Sequence, residues 1–404
     1  MGNTPNIRFK GFTDDWEQRK LGELVEFYNG DRSSRYPNDS DMVSEGVPFI
    51  NAGDLVSGRV KLDTANKITE EKFNELSGAK IQRGDIIYCL RGTLGKNAFV
   101  DNFDVGTVGS SLVDIRPKKV VGKYLYQVLN SDIEYTQRIV NDEGAAQPNL
   151  SAKNLSLFNI PMPDEVEQEK IAAYFDDLDN LITLHQRKCD ETKELKKFML
   201  QKMFPKNGEK KPEIRFEGFT DDWEQRKFGD VGSVAMCKRI FKEQTSEEGD
   251  VPFYKIGTFG GSPDAYISRE LFEEYKKAYQ YPSKGDILIS ASGSIGRTVE
   301  YTGEDEYFQD SNIVWLKHGD NIDNAFLKVL YSVVEWSCEG STIKRLYNDN
   351  FLKTEFMLPY IEEQTKIGEF FSQIDNLITL HQRKCDEIKE IKKFMLQNMF
   401  PQKG

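Results

Sequence analysis

The chain has 404 residues, enough for two or three domains that each bury a core of their own. Charged residues make up 30% of the chain, its mean hydropathy is −0.59, and no apolar run approaches the roughly 18 residues that span a bilayer, which argues against a membrane protein. The net charge of −12 argues against binding to nucleic acid through bulk positive charge, although local basic patches remain compatible with it. Five cysteines, an odd number, favour reduced thiols and a cytoplasmic location.

Both ends of the first half of the chain return almost unchanged in the second half. Residues 7–20 recur as 214–227 with one change in 14 positions, and residues 179–200 recur as 375–396 with changes only at Thr192/Ile388 and Leu195/Ile391. Between these ends only scattered glycine and apolar positions align. A duplication without functional meaning predicts uniform divergence, so the pattern favours identical docking surfaces beside two different recognition surfaces. Recombination that homogenises only the ends is the alternative.

Each dissimilar middle reads as mixed α/β structure. In the first copy, residues 81–90 predict a turn and a short apolar strand, residues 97–100 a second strand, and residues 123–129 a helix. In the second copy, residues 286–290 predict the equivalent strand and residues 326–331 the equivalent helix.

A long helix follows each middle. The first begins after Pro163 and ends at Pro205, and its length of about 40 residues corresponds to roughly 60 Å. Its apolar stripe is predicted at Ile171, Tyr174, Leu178, Leu181, Leu195 and Met199, with a weak centre at His185, Lys188 and Thr192. The second helix is predicted from about Ile361 to Phe400, with Ile367, Phe370, Ile374, Leu377, Ile391 and Met395 on its stripe.

The charges of the long helices predict how they pair. Residues 164–179 carry seven acidic residues and one basic one, whereas residues 187–202 carry six basic residues and three acidic ones. Antiparallel packing places opposite charges side by side and opposes the helix dipoles. An inter-chain coiled coil is the alternative, but the matching helix lies in the same chain, so we expect intramolecular pairing.

The fold class expected is α+β: two globular mixed α/β recognition domains, separated by two long antiparallel helices, in a pseudo-two-fold repeat. The expected boundaries are 1–163 for the first domain (with repeat 7–22) and 164–206 for the first helix. The second domain is expected at 207–360 (with repeat 214–229) and the second helix at 361–404.

Motifs for catalysis are missing. The sequence has no Asn-Pro-Pro-aromatic methylation motif, no dinucleotide-binding glycine motif after a strand and no Walker A loop. The pairs Gly92/Gly95 and Gly293/Gly296 suit tight turns better than phosphate cradles. His185 and Cys189, repeated as His381 and Cys385, form a conceivable zinc set, but adjacent lysines oppose a cation and duplication explains the recurrence, so no metal is expected.

Basic residues beside the glycine turns and in the dissimilar middles are the candidates for contact with DNA. Arginine pairs with guanine and asparagine or glutamine with adenine, whereas most charge clusters are solvated surface. The candidates are Arg32, Arg35, Arg91, Lys96, Lys118, Lys119, Lys238, Arg239, Arg297, Lys344 and Arg345.

The doubled arrangement resembles the specificity subunits of type I restriction-modification systems. The residues that carry the resemblance are the repeats starting at Trp16 and Trp223, the Gly-Asp-Ile elements at Gly84 and Gly285, and the helix starts with Glu167-Gln168 and Glu363-Gln364. Each motif is weak alone, but they occur twice, in the expected order, over essentially the whole chain. One departure is that residues 147–151 (Gln-Pro-Asn-Leu-Ser) match the family, whereas residues 343–347 (Ile-Lys-Arg-Leu-Tyr) do not.

The resemblance implies that each variable domain reads one half of a bipartite double-stranded DNA target and that the helices set the spacer. It implies two modification subunits, which use S-adenosylmethionine, and restriction subunits, which use ATP and magnesium, as partners. This chain itself would have no cofactor and no catalysis. The alternatives are a non-catalytic coiled-coil adaptor and the recognition subunit of a fused methylase-nuclease.

Overall fold

The computed structural model describes residues 4–142, 148–206, 208–340 and 344–401. The chain forms two compact units. Unit one contains residues 1–186 and 383–404, and unit two contains residues 187–382. Each long helix therefore contributes one half to each unit.

The first copy begins with a strand from the N-terminal repeat and ends with a long helix. Its strands are β1 (Glu17–Lys20), β2 (Val25–Asn29), β3 (Met42–Val43), β4 (Val47–Ile50), β5 (Leu55–Val56), β6 (Arg59–Val60), β7 (Asn66–Ile68), β8 (Ile86–Cys89), β9 (Asn97–Phe99), β10 (Thr107–Val108), β11 (Leu112–Pro117) and β12 (Asn159–Met162). Its helices are α1 (Leu21–Leu24), α2 (Glu70–Glu75), α3 (Gly122–Val128), α4 (Asp132–Val140), α5 (Ala152–Ser156) and α6 (Glu165–Lys202).

The second copy repeats this order with fewer elements among the described residues. Its strands are β13 (Glu224–Lys227), β14 (Gly232–Ala235), β15 (Val251–Tyr254), β16 (Tyr266–Ile267), β17 (Ile287–Ser290), β18 (Thr298–Glu300), β19 (Tyr307–Phe308), β20 (Ile313–His318) and β21 (Glu355–Leu358). Its helices are α7 (Phe228–Val231), α8 (Arg269–Ala278), α9 (Asn324–Val333), α10 (Asn348–Lys353) and α11 (Ile361–Asn398).

The two copies share one sheet topology. The central antiparallel sheet has the order β2-β11-β8-β9 in the first copy and β14-β20-β17-β18 in the second. The N-terminal repeat pairs with the strand that precedes the long helix, as β1-β12 and as β13-β21. A smaller sheet is ordered β10-β4-β7-β3 in one copy and β16-β15-β19 in the other. The shared glycines and apolar positions therefore specify one fold.

The elements predicted in the dissimilar middles are present. The apolar run at 81–90 contains β8, and the prediction at 97–100 corresponds to β9. The helix predicted at 123–129 is α3, the strand predicted at 286–290 is β17, and the helix predicted at 326–331 lies inside α9. These predictions are confirmed.

The Glu-Gln pair at the start of each long helix attaches that helix to its own globular domain. The Glu167 carboxylate, fully buried, accepts from Arg8 Nε and Nη2 at 2.7 and 2.8 Å and from Trp16 Nε1 at 3.1 Å. Gln168 Nε2 donates to the Pro163 carbonyl, and its Oε1 accepts from the Val121 backbone N–H just before α3. These contacts explain why the motif accompanies the N-terminal repeat.

The second copy repeats the arginine and glutamine contacts. Arg215 donates to both oxygens of Glu363 at 2.7 and 2.8 Å. Gln364 Nε2 donates to the Pro359 carbonyl, and its Oε1 accepts from the backbone N–H of Asp323. The helix starts therefore share the arginine–glutamate pair and the glutamine contacts. They differ in that Trp16 Nε1 donates to Glu167, whereas the buried Trp223 Nε1 has no hydrogen-bond partner among the described residues.

The antiparallel pairing of the long helices is confirmed within each unit. In unit one, Lys392 Nζ lies 2.6 Å from Asp179 Oδ1, and in unit two the equivalent Lys196 Nζ lies 2.6 Å from Asp375 Oδ1. Basic C-terminal halves thus lie beside acidic N-terminal halves of the same chain, as the charge pattern predicts.

The predicted apolar stripe of α6 is wrong at Leu181 and Leu195, which are exposed, whereas Tyr174 packs against the core of unit one as predicted. Ile171 and Leu178 pack in the core of unit one, but Phe175, not Tyr174, is fully buried there, and Leu181 is 42% exposed. Cys189 is fully buried, whereas Lys188 is exposed. One stripe of buried and half-buried residues therefore runs along α6 at heptad spacing. It consists of Ile171, Phe175, Leu178, Ile182, His185, Cys189, Thr192, Lys196, Met199 and Met203. The apolar side chains Leu181 and Leu195 suggested the wrong register because the sequence does not show which side of α6 meets the partner helix.

None of the helices in the described part of the chain combines the length and the apolar character of a membrane span.

Candidate nucleic-acid interface

The two Gly-x-x-Gly elements are tight turns that connect strands of the central sheet. Gly92 and Gly95 have φ of 79° and 80°, and Gly293 and Gly296 have φ of 68° and 89°, a region that favours glycine. The Gly95 amide donates to the Cys89 carbonyl at 3.2 Å, and the Gly296 amide donates to the Ser290 carbonyl at 3.1 Å. Because these amides close the hairpin, the turn interpretation is favoured over a phosphate cradle.

A second segment pairs with the start of each turn. The Leu150 amide donates to the Leu90 carbonyl at 3.0 Å, and the Leu346 amide donates to the Ala291 carbonyl at 2.8 Å. Isolated β-bridges join Arg91 to Asn149 in the first copy and Ser292 to Arg345 in the second. The dissimilar stretches at 147–151 and 343–347 therefore share one backbone arrangement, although Gln147 and Ile343 themselves lie outside the described residues.

The residue before the turn and the paired segment border a surface concavity in each copy, which we call the turn groove. In the first copy the turn groove is lined by Asn29, Gly30, Arg32, Leu90, Arg91, Asn149, Leu150, Ser151 and Ala152. In the second it is lined by Met236, Ala291, Ser311, Glu339, Arg345, Leu346, Tyr347, Asn348, Asp349, Asn350 and Lys353. Six of these positions correspond between the copies, and five of the six carry different residue types.

Two of the predicted cations meet at the turn groove of the first copy. Arg91 is exposed, and its Nε donates to Asn149 Oδ1 at 3.2 Å. Arg32 is exposed, and its Nη2 donates to the Ser110 carbonyl at 3.1 Å. The equivalent Arg239 forms an ion pair with Asp310, with 2.8 Å between Nε and Oδ2.

Lys96 and Arg297 occupy equivalent positions directly after the glycine turns. Lys96 Nζ donates to the Ala52 carbonyl at 2.8 Å, and Arg297 Nη2 donates to the Ile256 carbonyl at 2.6 Å. Both carbonyls lie just after equivalent strands, β4 and β15. These two cations therefore hold the same loop in both copies.

The remaining candidates are dispersed. Lys118 pairs with Glu26, and Lys119 follows it at the end of β11 that is remote from the turn groove. Lys238 Nζ lies 4.9 Å from the centre of the Tyr279 ring. Arg345 is exposed at the second turn groove, and Lys344 is exposed directly before it. The side chains of Arg35, Lys344 and Arg345 have no hydrogen-bond or ion-pair partner among the described residues.

The basic run that contains Lys118 includes an arginine whose charge is compensated locally. Arg116 donates to both oxygens of Asp85, with Nε–Oδ1 at 3.0 Å and Nη2–Oδ2 at 2.8 Å. This pairing raises the pKa of Arg116 above its ordinary value. The run is thus less available to phosphate than its sequence suggests.

Sequence reasoning missed several side chains of the turn groove. Asn149 was not proposed, and neither were Tyr347, Asn348, Asn350 or Lys353. An alignment of 147–151 with 343–347 carried the available signal, since these stretches precede equivalent helices. Their dissimilar residue types gave no indication that both stretches line a groove.

The conceivable zinc set is not assembled. No group of three or more histidine, cysteine, aspartate and glutamate side chains within the four described ranges has the geometry to hold a metal ion. In unit two, Cys189 Sγ lies 3.8 Å from the Ile378 carbonyl oxygen, and in unit one Cys385 Sγ lies 3.9 Å from that of Ile182. Both thiols are therefore packed against the partner helix.

A family model described as type I restriction modification DNA specificity domain matches residues 13–194 and again residues 220–390. The chain belongs to this family. The two matches coincide with the two copies of the fold, and each includes a turn groove and the first part of a long helix.

Relatives and solved structures agree with the assignment to the specificity family. A putative type I restriction enzyme specificity subunit of Haemophilus influenzae is 36% identical over 368 residues, which cover 89% of this chain and 88% of the relative. The MjaVIII specificity subunit of Methanocaldococcus jannaschii is 23% identical, with 94% of this chain and 91% of the relative covered.

A crystal structure of the type I restriction-modification S subunit from M. genitalium has the same fold. Its TM-score is 0.67 at 15% identity, with 99% of this chain and 100% of that chain covered. A second structure, described for complex assembly and conformational transition of a type I system, has a TM-score of 0.53 at 18% identity, with coverage of 94% and 96%.

Proposed function

We propose that this specificity subunit reads a bipartite double-stranded DNA target, one half-site with each globular domain. The observation that carries the proposal is the turn groove, which has one backbone frame in both copies and different side chains on it. Arginine and asparagine side chains around it suit the donors and acceptors of base edges. The long helices would set the spacer between the half-sites.

The identical parts of the two copies support two identical partners. Leu181, Ile391 and Phe394 are 42%, 48% and 55% exposed in unit one, within two residues of the Asp179–Lys392 ion pair. We call this set the first helix patch. The second helix patch consists of the equivalent residues in unit two, Leu377, Leu195 and Phe198, which are 47 to 49% exposed. Exposed apolar side chains grouped in this way mark interaction surfaces. Each helix patch would receive one modification subunit.

Catalysis would belong to the partners. The modification subunits would use S-adenosylmethionine, and restriction subunits with ATP and magnesium would join the complex. The chain would then act in the cytoplasm as a non-catalytic subunit without a cofactor of its own. Its net charge of −12 supports a dependence on partners for affinity, since non-specific binding to DNA rests on positive charge.

The test is selection from a duplex library with randomised positions by the chain together with its modification subunits. We expect recovery of one bipartite motif with a fixed spacer, and binding that weakens as salt rises. A complex that assembles but binds all sequences equally would contradict the proposal and favour a coiled-coil adaptor. Sequencing of methylated bases in cells that express the system gives the motif independently.

A further inference from the structure

The β-bridge beside the turn groove carries one arginine in each copy, but on opposite sides. In the first copy the bridge joins Arg91, on the glycine turn, to Asn149. In the second copy the turn position is Ser292, and the arginine is Arg345, on the paired segment. Two backbone hydrogen bonds across the bridge are the same in both copies, from Gly92 and Gly293 and from Leu150 and Leu346. The two segments differ in that Arg345 also pairs with Glu339, whereas the Asn149 amide donates to Asp142 Oδ1.

This exchange differs from the behaviour of the neighbouring cations. Lys96 and Arg297 keep a positive charge at one position and donate to equivalent carbonyls. A contact with phosphate, which is common to every sequence, is expected to be kept in this way. A contact that distinguishes the two half-sites is expected to differ between the two copies, and the residues of the bridge do differ.

The geometry of Arg91 suits a guanine. Its Nε is engaged by Asn149 Oδ1 at 3.2 Å, while its terminal nitrogens have no recorded partner in the described structure. Guanine presents O6 and N7 in the major groove, and a guanidinium can donate to both acceptors at once. Asn149 therefore holds the guanidinium and leaves two donors for the base.

Resting on the proposed function, we propose that this bridge is a base-reading position in both copies. Arg91 reads a guanine in one half-site, with Asn149 as its positioning residue, and Arg345 reads a guanine in the other. The two copies deliver the same guanidinium from opposite sides of one bridge, and this difference contributes to their different targets.

The decisive variant transfers the bridge of the second copy into the first. The double variant Arg91→Ser/Asn149→Arg, in complex with modification subunits, is selected against the randomised duplex library. We expect the preference to change at one base or two adjacent bases of one half-site, while the other half-site and the spacer stay the same. Arg345→Ala should remove a preference only in the other half-site.

Single variants separate reading from positioning. Arg91→Ala should reduce discrimination at one base pair by roughly ten- to a hundredfold. Asn149→Ala should reduce it less, and Asn149→Asp should restore it, because the aspartate keeps an acceptor for Nε. Arg83→Ala is the matched control, since Arg83 is exposed near the other end of β8 and pairs with Asp104. It should leave every preference unchanged.

Three outcomes overturn the assignment. Weaker binding to all sequences, with unchanged preferences, would make Arg91 a phosphate contact. An unchanged motif in the double variant and in Arg345→Ala would show that the bridge reads nothing. A wild-type complex without any sequence preference would instead overturn the proposed function, and this assignment with it. Thermal melting and the mass of the complex identify any variant that fails to fold. If a variant of the first copy does not fold, the base preferences of Arg345→Ala test the assignment in the second copy.

Discussion

At the scale of single residues, a buried ion pair fixes each N-terminal repeat to its long helix. Glu167 is fully buried and accepts three hydrogen bonds, two of them from Arg8, whose side chain is 13% exposed. Arg215 and Glu363 form the same pair in the second copy. Removal of one partner from such a pair leaves an uncompensated charge, which costs more than the pair contributes.

We therefore predict that Arg8→Ala lowers the free energy of unfolding of unit one by about 3–5 kcal/mol. Chemical denaturation monitored by tryptophan fluorescence measures the change. Arg19→Ala is the control, because Arg19 forms an exposed pair with Glu23, and its loss should cost about 0.5 kcal/mol or less. Equal effects of the two variants would show that the buried pair does not fix the repeat.

A buried carboxyl group distinguishes the two central sheets. Asp114 on β11 is fully buried beside Asp85, and its Oδ1 has no hydrogen-bond partner in the described structure. Burial, reinforced by the charge of Asp85, raises the pKa of Asp114 well above its ordinary value. The equivalent residue on β20 is Trp315, which carries no charge.

This carboxyl group predicts a pH dependence of stability. The native state binds the Asp114 proton more tightly than the unfolded state, so stability falls as the pH rises above about 4 and levels off above the native pKa. Asp114→Asn should flatten this slope and raise stability at pH 8 by roughly 1–3 kcal/mol. Urea denaturation of the wild-type protein and of Asp114→Asn between pH 4 and 9 measures the pH dependence of the free energy of unfolding. Parallel pH profiles would contradict the prediction.

At the scale of elements, the register of the long helices depends on the partner helix. Phe175 is fully buried against Phe400, with the ring centroids 6.1 Å apart, whereas Leu181 is 42% exposed. The apolar pattern of α6 alone accommodates both residues. The globular domain of unit one and the residues directly after α11 together determine which of them is buried.

We predict that Phe175→Ala lowers the free energy of unfolding by about 3–5 kcal/mol, because it opens a cavity in the core of unit one. Leu181→Ala should change it by less than about 1 kcal/mol. Thermal or urea denaturation of both variants provides the comparison. A larger decrease in the free energy of unfolding for Leu181→Ala than for Phe175→Ala would support the register that the sequence suggested.

At the scale of the whole molecule, the last helix of the chain completes the unit that the first residues begin. The Ile7 amide donates to the Asn398 carbonyl at 2.9 Å, and the Ile214 amide donates to the equivalent Lys202 carbonyl at 2.9 Å. The contact between Ile214 and Lys202 joins residues that are close in sequence. The contact between Ile7 and Asn398 joins residues from opposite ends of the chain. Unit one therefore depends on residues far apart in sequence.

If each helix patch receives one modification subunit, as proposed above, the two patches predict the stoichiometry of the complex. Replacement of Leu181 and Phe394 by serine should reduce the number of modification subunits per chain from two to one, because only the first helix patch is altered. Adding Leu377→Ser and Phe198→Ser should abolish assembly. Native mass spectrometry of the co-expressed subunits counts the partners. Tyr135→Ser/Val140→Ser, two exposed apolar residues of α4, is the control and should retain two partners.

The sequence by itself determined the doubled fold, the central strands and the direction of helix pairing. These features follow from local apolar patterns, from glycine at positive φ and from the segregation of charge along each helix. The tertiary structure alone decided which helix face is buried, that Lys96 and Arg297 hold a loop, and that Asn149 and Arg345 pair with the glycine turns. The physical reason is that burial and side-chain pairing depend on residues that are distant in sequence, such as Phe400 for Phe175 and Asn149 for Arg91.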